Sequence, residues 1–232
     1  MITSRDNETL KLVHKLLSAR KHREETGLFA VEGEDLVQAA DAAGVEPVHR
    51  LVEGESVAEG LLGRVSTLAH PPRVIAVHRS SDLPRGARDR CLALWRLADP
   101  GNVGTLLRTA DAFGASVALS EGCADPLSPK ALRASVGAIF RVPLVGWDEV
   151  PEPRIALVAH GGEPLPSVVT ELGPRVTFVL GSEREGLPEK IVTSCNLASI
   201  GLPGAAESLN VAAAGAIALY EATRRASAPG AA

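Results

Sequence analysis

Three glycine-flanked segments carry the polar side chains suited to chemistry in this chain. Asn102 and Arg108 lie in Asn102-Val103-Gly104-Thr105-Leu106-Leu107-Arg108-Thr109-Ala110-Asp111-Ala112-Phe113-Gly114. Glu183 lies in Leu180-Gly181-Ser182-Glu183-Arg184-Glu185-Gly186-Leu187-Pro188. Ser208 and Asn210 close Ile200-Gly201-Leu202-Pro203-Gly204-Ala205-Ala206-Glu207-Ser208-Leu209-Asn210-Val211, which ends a β-like run and opens an apolar helix. Glycine and proline there let backbone come close to a ligand, because they add little side-chain bulk. Ser208 and Asn210 then set a hydroxyl and an amide at the mouth of the helix. By residue type the last segment is a ligand loop, and the guanidinium and carboxylate upstream are groups that hold and orient a polar ligand.

Three common sites fail on spacing. Gly181 and Gly186 have the separation of a phosphate-binding P-loop, but Leu187 and Pro188 stand where Lys and Ser or Thr are required. No GxGxxG follows a strand, which disfavours a dinucleotide fold. The six histidines are scattered without metal-ligand spacing, so no metal is expected. Cys91, Cys123 and Cys195 are odd in number and far apart, which predicts free, buried thiols.

The elements that position these groups read as two modules. Apolar periodicity predicts a helix over 10–19, a strand over 27–31, a helix over 36–43, and strands over 47–52 and 74–77. Residues 80–90 are polar and broken by Pro84 and Gly86, the composition of a linker. The expected division is a first domain over 1–84, a linker over 85–90 and a second domain over 91–232. Apolar runs at 91–97, 116–119, 155–159, 176–180 and 197–201 alternate with helical stretches, the texture of a parallel α/β sheet buried on both faces. An Ala-rich helix follows over 209–225, and residues 226–232 are expected to be disordered.

At 232 residues and 45% hydrophobic, the chain can bury a substantial core. No run is long or apolar enough to span a bilayer and no signal pattern follows Met1, so a cytoplasmic protein is expected. The net charge of −4 argues against bulk electrostatic binding of nucleic acid but not against a local basic patch. Lys11, Lys15, Arg20, Lys21 and Arg23 form such a stretch with no acidic residue between Lys11 and Arg23. Aromatics make up 3% of the chain, too few for a multi-ring stacking platform.

In their order and spacing the three segments resemble the signature motifs of the SpoU family of RNA ribose methyltransferases, part of the knotted SPOUT class. Residues 18–33 resemble the start of the substrate-binding domain that precedes many SpoU catalytic domains, which is similar to a ribosomal protein that binds kinked RNA. Residues 125–138 resemble the family segment between the first two motifs, near substrate. The resemblance implies an α/β fold: a C-terminal parallel-sheet domain with a deep trefoil knot, preceded by a small α/β RNA-binding domain. It also implies S-adenosylmethionine as cofactor, with S-adenosylhomocysteine as product. Leu180, Gly181, Ser182, Ile200, Gly201, Leu202, Gly204, Ser208 and Leu209 would bind that cofactor.

Roles carry over position by position. Arg108 matches the arginine proposed to activate the ribose hydroxyl. Asn102 would hold ribose or Arg108, Glu183 would fix the second motif, and Ser208 and Asn210 would position the hydroxyl and lock the third motif to the first. Singly, each has a plainer explanation: a surface arginine, a cap at Asn102 before Val103, a turn glutamate, and helix caps at Ser208 or Asn210. Arg20, Lys21, Arg23, Lys130 and Arg133 are the expected RNA contacts. A homodimer is implied, and ribosomal RNA is favoured as substrate over transfer RNA because of the added N-terminal module. The rival from another class is a non-catalytic RNA-binding or ribosome-assembly factor that keeps the fold. One departure from the family pattern is Ala212-Ala213, where serine is frequent.

Overall fold

The computed structural model describes residues 1–173 and 175–226. In chain order the elements are α1 (Glu8–Ser18), α2 (Arg20–Thr26), β1 (Leu28–Glu32), α3 (Glu34–Ala42), β2 (His49–Val52), α4 (Leu62–Val65) and β3 (Val74–Arg79). Then follow β4 (Arg90–Leu94), α5 (Pro100–Ala112), β5 (Ser116–Leu119), α6 (Pro129–Ser135), β6 (Leu144–Val145), β7 (Arg154–Leu157) and β8 (Glu163–Pro164). The chain continues through α7 (Leu165–Leu172), β9 (Val176–Leu180), α8 (Glu189–Val192), β10 (Asn196–Ser199) and α9 (Val211–Ala226). Of the tail expected to be disordered, 227–232 lie outside the described residues.

The chain divides into two compact units, one of Met1–Leu83 with Asp125–Arg141, the other of Pro84–Ala124 with Val142–Ala232. The first unit is built on an antiparallel sheet in the order β1-β3-β2. Asn7 caps α1 by accepting the Thr9 N–H at 2.9 Å, and the helix buries Leu10, Val13, Leu16 and Leu17 in the core. The apolar residues at i, i+3, i+6 and i+7 lie on one face of a 3.6-residue helix, which is why the periodicity was legible.

Residues 125–141 are sequence neighbours of the second unit yet pack with the first. Ser128 caps α6, accepting the Ala131 N–H at 3.4 Å, and a short 3₁₀ turn at Ala138–Phe140 follows. Phe140 then enters an aromatic cluster, 6.1 Å from Phe29 and 5.6 Å from His78 between ring centroids. A salt bridge reinforces the join: the Arg23 Nε donates to Asp125 Oδ2 at 2.6 Å, and Arg23 Nη1 donates to the Leu16 carbonyl. The Glu32 carboxylate, buried at the end of β1, accepts from Ser66 Oγ at 2.6 Å and the Thr67 N–H at 2.8 Å, with Arg133 Nη1 3.7 Å away.

The second unit is a seven-stranded parallel sheet in the order β6-β5-β4-β9-β7-β10-β8. Its central strands are buried on both faces, as their unbroken apolar runs require. Residues 85–90, expected as a linker, carry ordered pairing within this unit. The Gly86 N–H donates to the Leu144 carbonyl at 3.3 Å, the Arg88 N–H donates to Ser116 Oγ at 3.2 Å, and Arg90 already belongs to β4. Helix α9 packs against α5, α7 and β9. Gly215 allows the approach: a Cβ there would stand 2.5 Å from Leu106 Cδ2 and 3.1 Å from Leu180 Cδ1.

Candidate active site

The strand order places a concavity where the sheet topology turns back on itself. The chain runs outward from β4 through β5 to β6, then crosses to β7 and β8, and inserts β9 and β10 between earlier strands. Ligands in open parallel sheets collect at the carboxyl ends of strands beside such a reversal. Here a cavity of about 440 Å³ opens at the ends of β7, β9 and β10. That volume falls within the range of about 300–1,000 Å³ usual for small-molecule sites.

Seven of the nine expected cofactor residues line it: Leu180, Gly181, Ser182, Ile200, Leu202, Ser208 and Leu209. Gly201 and Gly204 are not among the residues that line it and lie in the loop between Ile200 and Ser208. Of the expected catalytic residues, Glu183, Ser208 and Asn210 reach the wall, while Asn102 and Arg108 lie outside it. Sequence reasoning missed Leu157, Val158, Ala159, Gly186, Glu207, Val211 and Ala214 as lining residues. Leu157 ends β7 and Val158 and Ala159 follow it, so the carboxyl-end rule applied to its apolar run would have found them.

The loop after β9 is a tight turn. Ser182 N–H donates to the Gly186 carbonyl at 3.2 Å and Gly186 N–H returns to the Ser182 carbonyl at 3.0 Å, with Glu185 N–H on Ser182 Oγ at 3.2 Å. Gly181 has no room for a side chain: a Cβ would fall 2.4 Å from the Gly186 carbonyl carbon. Glu183 sits inside this closed turn.

Glu183 meets the other two segments through Asn102. The Asn102 Nδ2 donates to Glu183 Oε1 at 2.7 Å, and the Asn102 Oδ1 accepts from Asn210 Nδ2 at 3.1 Å. Asn210 Oδ1 in turn accepts the N–H groups of Ala212 at 2.8 Å and Ala213 at 3.3 Å, capping α9. A single amide therefore joins residues 81 and 108 positions away in the chain. The plain capping role for Asn102 does not hold, because Asp99 caps α5, accepting from Gly101 N–H at 3.2 Å, and frees Asn102 in the first turn to reach outward.

Arg108 stands on the exposed side of α5 and makes no hydrogen bond or ion pair with any described residue. Cys91 and Cys123 are buried as expected, while Cys195 is only half-buried. Burial pushes the Cys91 and Cys195 thiols up, which keeps them protonated and unsuited to nucleophilic work. Among the described residues no cluster of three His, Cys, Asp or Glu side chains is placed to hold a metal ion.

Residues 89–220 match the SpoU rRNA Methylase family. The chain belongs to that family. This SpoU chain is 30% identical to the 23S rRNA (guanosine(2553)-2′-O)-methyltransferase RlmP of Bacillus subtilis, over 89% of its own length and 92% of the relative's. It is 35% identical to a 23S rRNA (uridine(2479)-2′-O)-methyltransferase of Streptomyces viridochromogenes, over 67% of its length and 61% of the relative's. Among solved structures, the AdoMet-bound rRNA methyltransferase from Sinorhizobium meliloti superposes with a TM-score of 0.82 at 28% identity, covering 96% of this chain and 97% of that one. The AdoMet complex of the SpoU methyltransferase AviRb from Streptomyces viridochromogenes gives 0.79 at 26% identity, over 94% and 98%.

The expected RNA contacts of this SpoU chain come out differently one by one. Arg23 is corrected: its side chain is 6% exposed and fully engaged by Asp125 and the Leu16 carbonyl, so it cannot reach a phosphate. Arg20 and Lys21 are exposed but bridged one turn on, to Glu24 at 2.7 Å and Glu25 at 3.7 Å. The acids that neutralise the basic run simply follow it in sequence. Arg133 donates to Thr67 Oγ1 at 3.2 Å beside Glu32, and Lys130 is exposed at the start of α6.

Proposed function

We propose that this protein is an S-adenosylmethionine-dependent RNA ribose 2′-O-methyltransferase acting on ribosomal RNA. The observation that carries the reading is the Glu183–Asn102–Asn210 chain, which ties all three SpoU segments together at the mouth of the cavity. The cavity suits the cofactor by its donor set. Leu157, Ile200, Leu202 and Leu209 supply apolar walls for a flat base, and backbone with Ser208, Glu183 and Glu207 supplies polar ends for ribose and an ammonium group. When bound, the cofactor supplies an activated methyl on a sulfonium.

The protein's own work is to orient, to exclude water and to manage one proton. Arg108, unpaired and exposed, grips the phosphate beside the target ribose. A guanidinium with a pKa above about 12 is no base. Its positive charge lowers the pKa of the 2′-hydroxyl, and the proton leaves to phosphate or water. Ser208 positions the hydroxyl, and the asparagine pair holds the first and third segments in register.

Because Arg108 does not line its own cavity, it serves the site of a second copy in a homodimer. Helix α9, packed on α5, supports this with Ile217 and Tyr220, which are 38% and 56% exposed. We read the turns after β9 and β10 as the segments that form the family's trefoil knot, which the insertion of both strands between earlier ones supports. No helix among the described residues is long and apolar enough to cross a membrane, and the protein works in the cytoplasm.

The test is transfer of labelled methyl groups to total RNA from a strain lacking the protein, with the modified nucleoside mapped by mass. Label in a 2′-O-methylated ribosomal nucleotide is expected. Label in transfer RNA or on a base reassigns the substrate. No label, together with no calorimetric affinity for S-adenosylhomocysteine, leaves a non-catalytic RNA-binding factor.

A further inference from the structure

A second large concavity, about 580 Å³, lies within the first unit between α1 and α4. Its floor is apolar: Leu10 is fully buried, and Leu61 and Val65 are half-buried against the same core. Its walls carry Arg5, Lys11, His14, Lys15 and Arg64, with Asp6 as the one carboxylate. Lys11, His14 and Lys15 share one face of α1 by their i, i+3, i+4 spacing. Four of these groups, Arg5, His14, Lys15 and Arg64, make no hydrogen bond or ion pair with any described residue. Lys11 is bridged to Glu8 at 2.8 Å, a solvent-exposed pair of little worth that a phosphate can displace.

That arrangement is not the background of this molecule. The chain as a whole is acidic, and the neighbouring cations of α2 are each answered by an acid. Arg5 and Arg64 have no ion-pair partner among the described residues, and Lys15 has only the charge of the exposed Glu8 nearby. Positive groups gathered around one hollow repel one another, which a polyanion relieves. We propose that the α1–α4 groove binds single-stranded RNA, its phosphodiester backbone against Lys15 and Arg64 and an unstacked base on the half-buried Leu61 and Val65. A duplex would offer phosphates and leave that floor wet, whereas a single strand can turn a base inward. Arg5 and Arg64 add planar guanidinium groups that bond phosphate in pairs or lie flat on a base. The groove deepens the methyltransferase reading, on which it rests, by placing a substrate contact in the first unit on residues other than those of α2.

The test uses the full chain and a short labelled single-stranded oligoribonucleotide of mixed sequence. For Lys15→Gln/Arg64→Gln we expect Kd for the RNA to rise about tenfold or more. The log–log salt slope should fall by about 1.4, the loss of two phosphate contacts on a single strand. The affinity for S-adenosylhomocysteine and the melting temperature should stay at the parental values, and Arg20→Gln/Lys21→Gln should bind RNA as the parent does. Parental Kd and slope in the double variant overturn the groove. Should the pair of substitutions impair folding, Arg64→Gln alone must still lower the slope by about 0.7, and an unchanged slope overturns the proposal equally. Displacement of the labelled RNA by poly-glutamate more readily than by unlabelled RNA makes the groove a protein-docking surface and also overturns it. Failure of the parent protein to bind S-adenosylhomocysteine is a separate result, which sinks the enzymatic reading and not the RNA measurement.

Discussion

Helices α2 and α5 each present an arginine that the sequence marks for contact with RNA, and the two end in opposite circumstances. On α2, Arg23 is 6% exposed, with Asp125 on one nitrogen and a backbone carbonyl on another. On α5, Arg108 is exposed and unpartnered among the described residues, while its neighbour Asn102 is fastened at both ends of its amide. The difference teaches what to look for. A cation whose needs are met by its own fold is part of the scaffold; one left open on an exposed helix face is available for a ligand. Residue type is the same in both, and only the partners separate them.

The comparison predicts its own tests. Removing the open arginine should cost chemistry and nothing else: Arg108→Ala should lower the methyl-transfer rate about a hundredfold or more, the scale of one lost transition-state charge contact. Its melting temperature and affinity for S-adenosylhomocysteine should be unchanged. A variant that turns over at the parental rate would break the contrast at its more important end. Removing the closed arginine should do the reverse. Arg23→Gln strands the Asp125 carboxylate, 13% exposed, and should cost about 3 kcal/mol in denaturant unfolding. The rate per folded molecule should remain near parental.

Asn102→Ala sharpens the middle ground, since the residue is both tied and close to the site. It leaves Glu183 and Asn210 without their shared partner, at about 1 kcal/mol for hydrogen bonds in exposed surroundings. The third segment should loosen and the affinity for S-adenosylhomocysteine fall by about tenfold, read by calorimetry. The smallest effect concerns His78, fully buried between Phe29 and Phe140 with neither ring nitrogen hydrogen-bonded. Burial holds its pKa below the ordinary value; the nearby backbone of Glu46 and Val45 and the charge of Asp41 offset that only in part, and Arg50 adds to the lowering. The unfolded chain therefore takes up a proton that the folded one refuses. Stability is complete above pH of about 6.5 and declines as pH falls toward the depressed folded value. His78→Leu should flatten the acid side of the stability curve, measured by urea midpoints at several pH values.

Much of the frame was legible because it depends on local pattern. The run at 176–180 is β9 residue for residue, 116–119 is β5, and the helix read over 10–19 is α1 shifted by one or two positions. The glycine-rich turns announced the cavity through their composition, and seven of the nine residues expected to bind there do line it. What stayed hidden were facts of partnership. Nothing in the stretch around Arg23 signals an acid 102 positions later, and nothing in Asn102 tells that Asp99 takes over the cap and releases it. The short helix α2 was hidden too, since the stretch has no apolar stripe to reveal a period, only charges that pair at i+4. Leu157, Val158 and Ala159 join the cavity by strand order, which no single segment contains.

The assignment of Asp125–Arg141 to the first unit has a consequence for how such a protein can be rearranged. The polypeptide passes from one body to the other three times, after Leu83, after Ala124 and after Arg141. The N-terminal module is thus no cassette: a gene fusion cut at residue 84 would carry away the sheet but abandon α6 and the ring of Phe140. Grafting that module onto a foreign catalytic body would require the recipient to bring a segment equivalent to Asp125–Arg141.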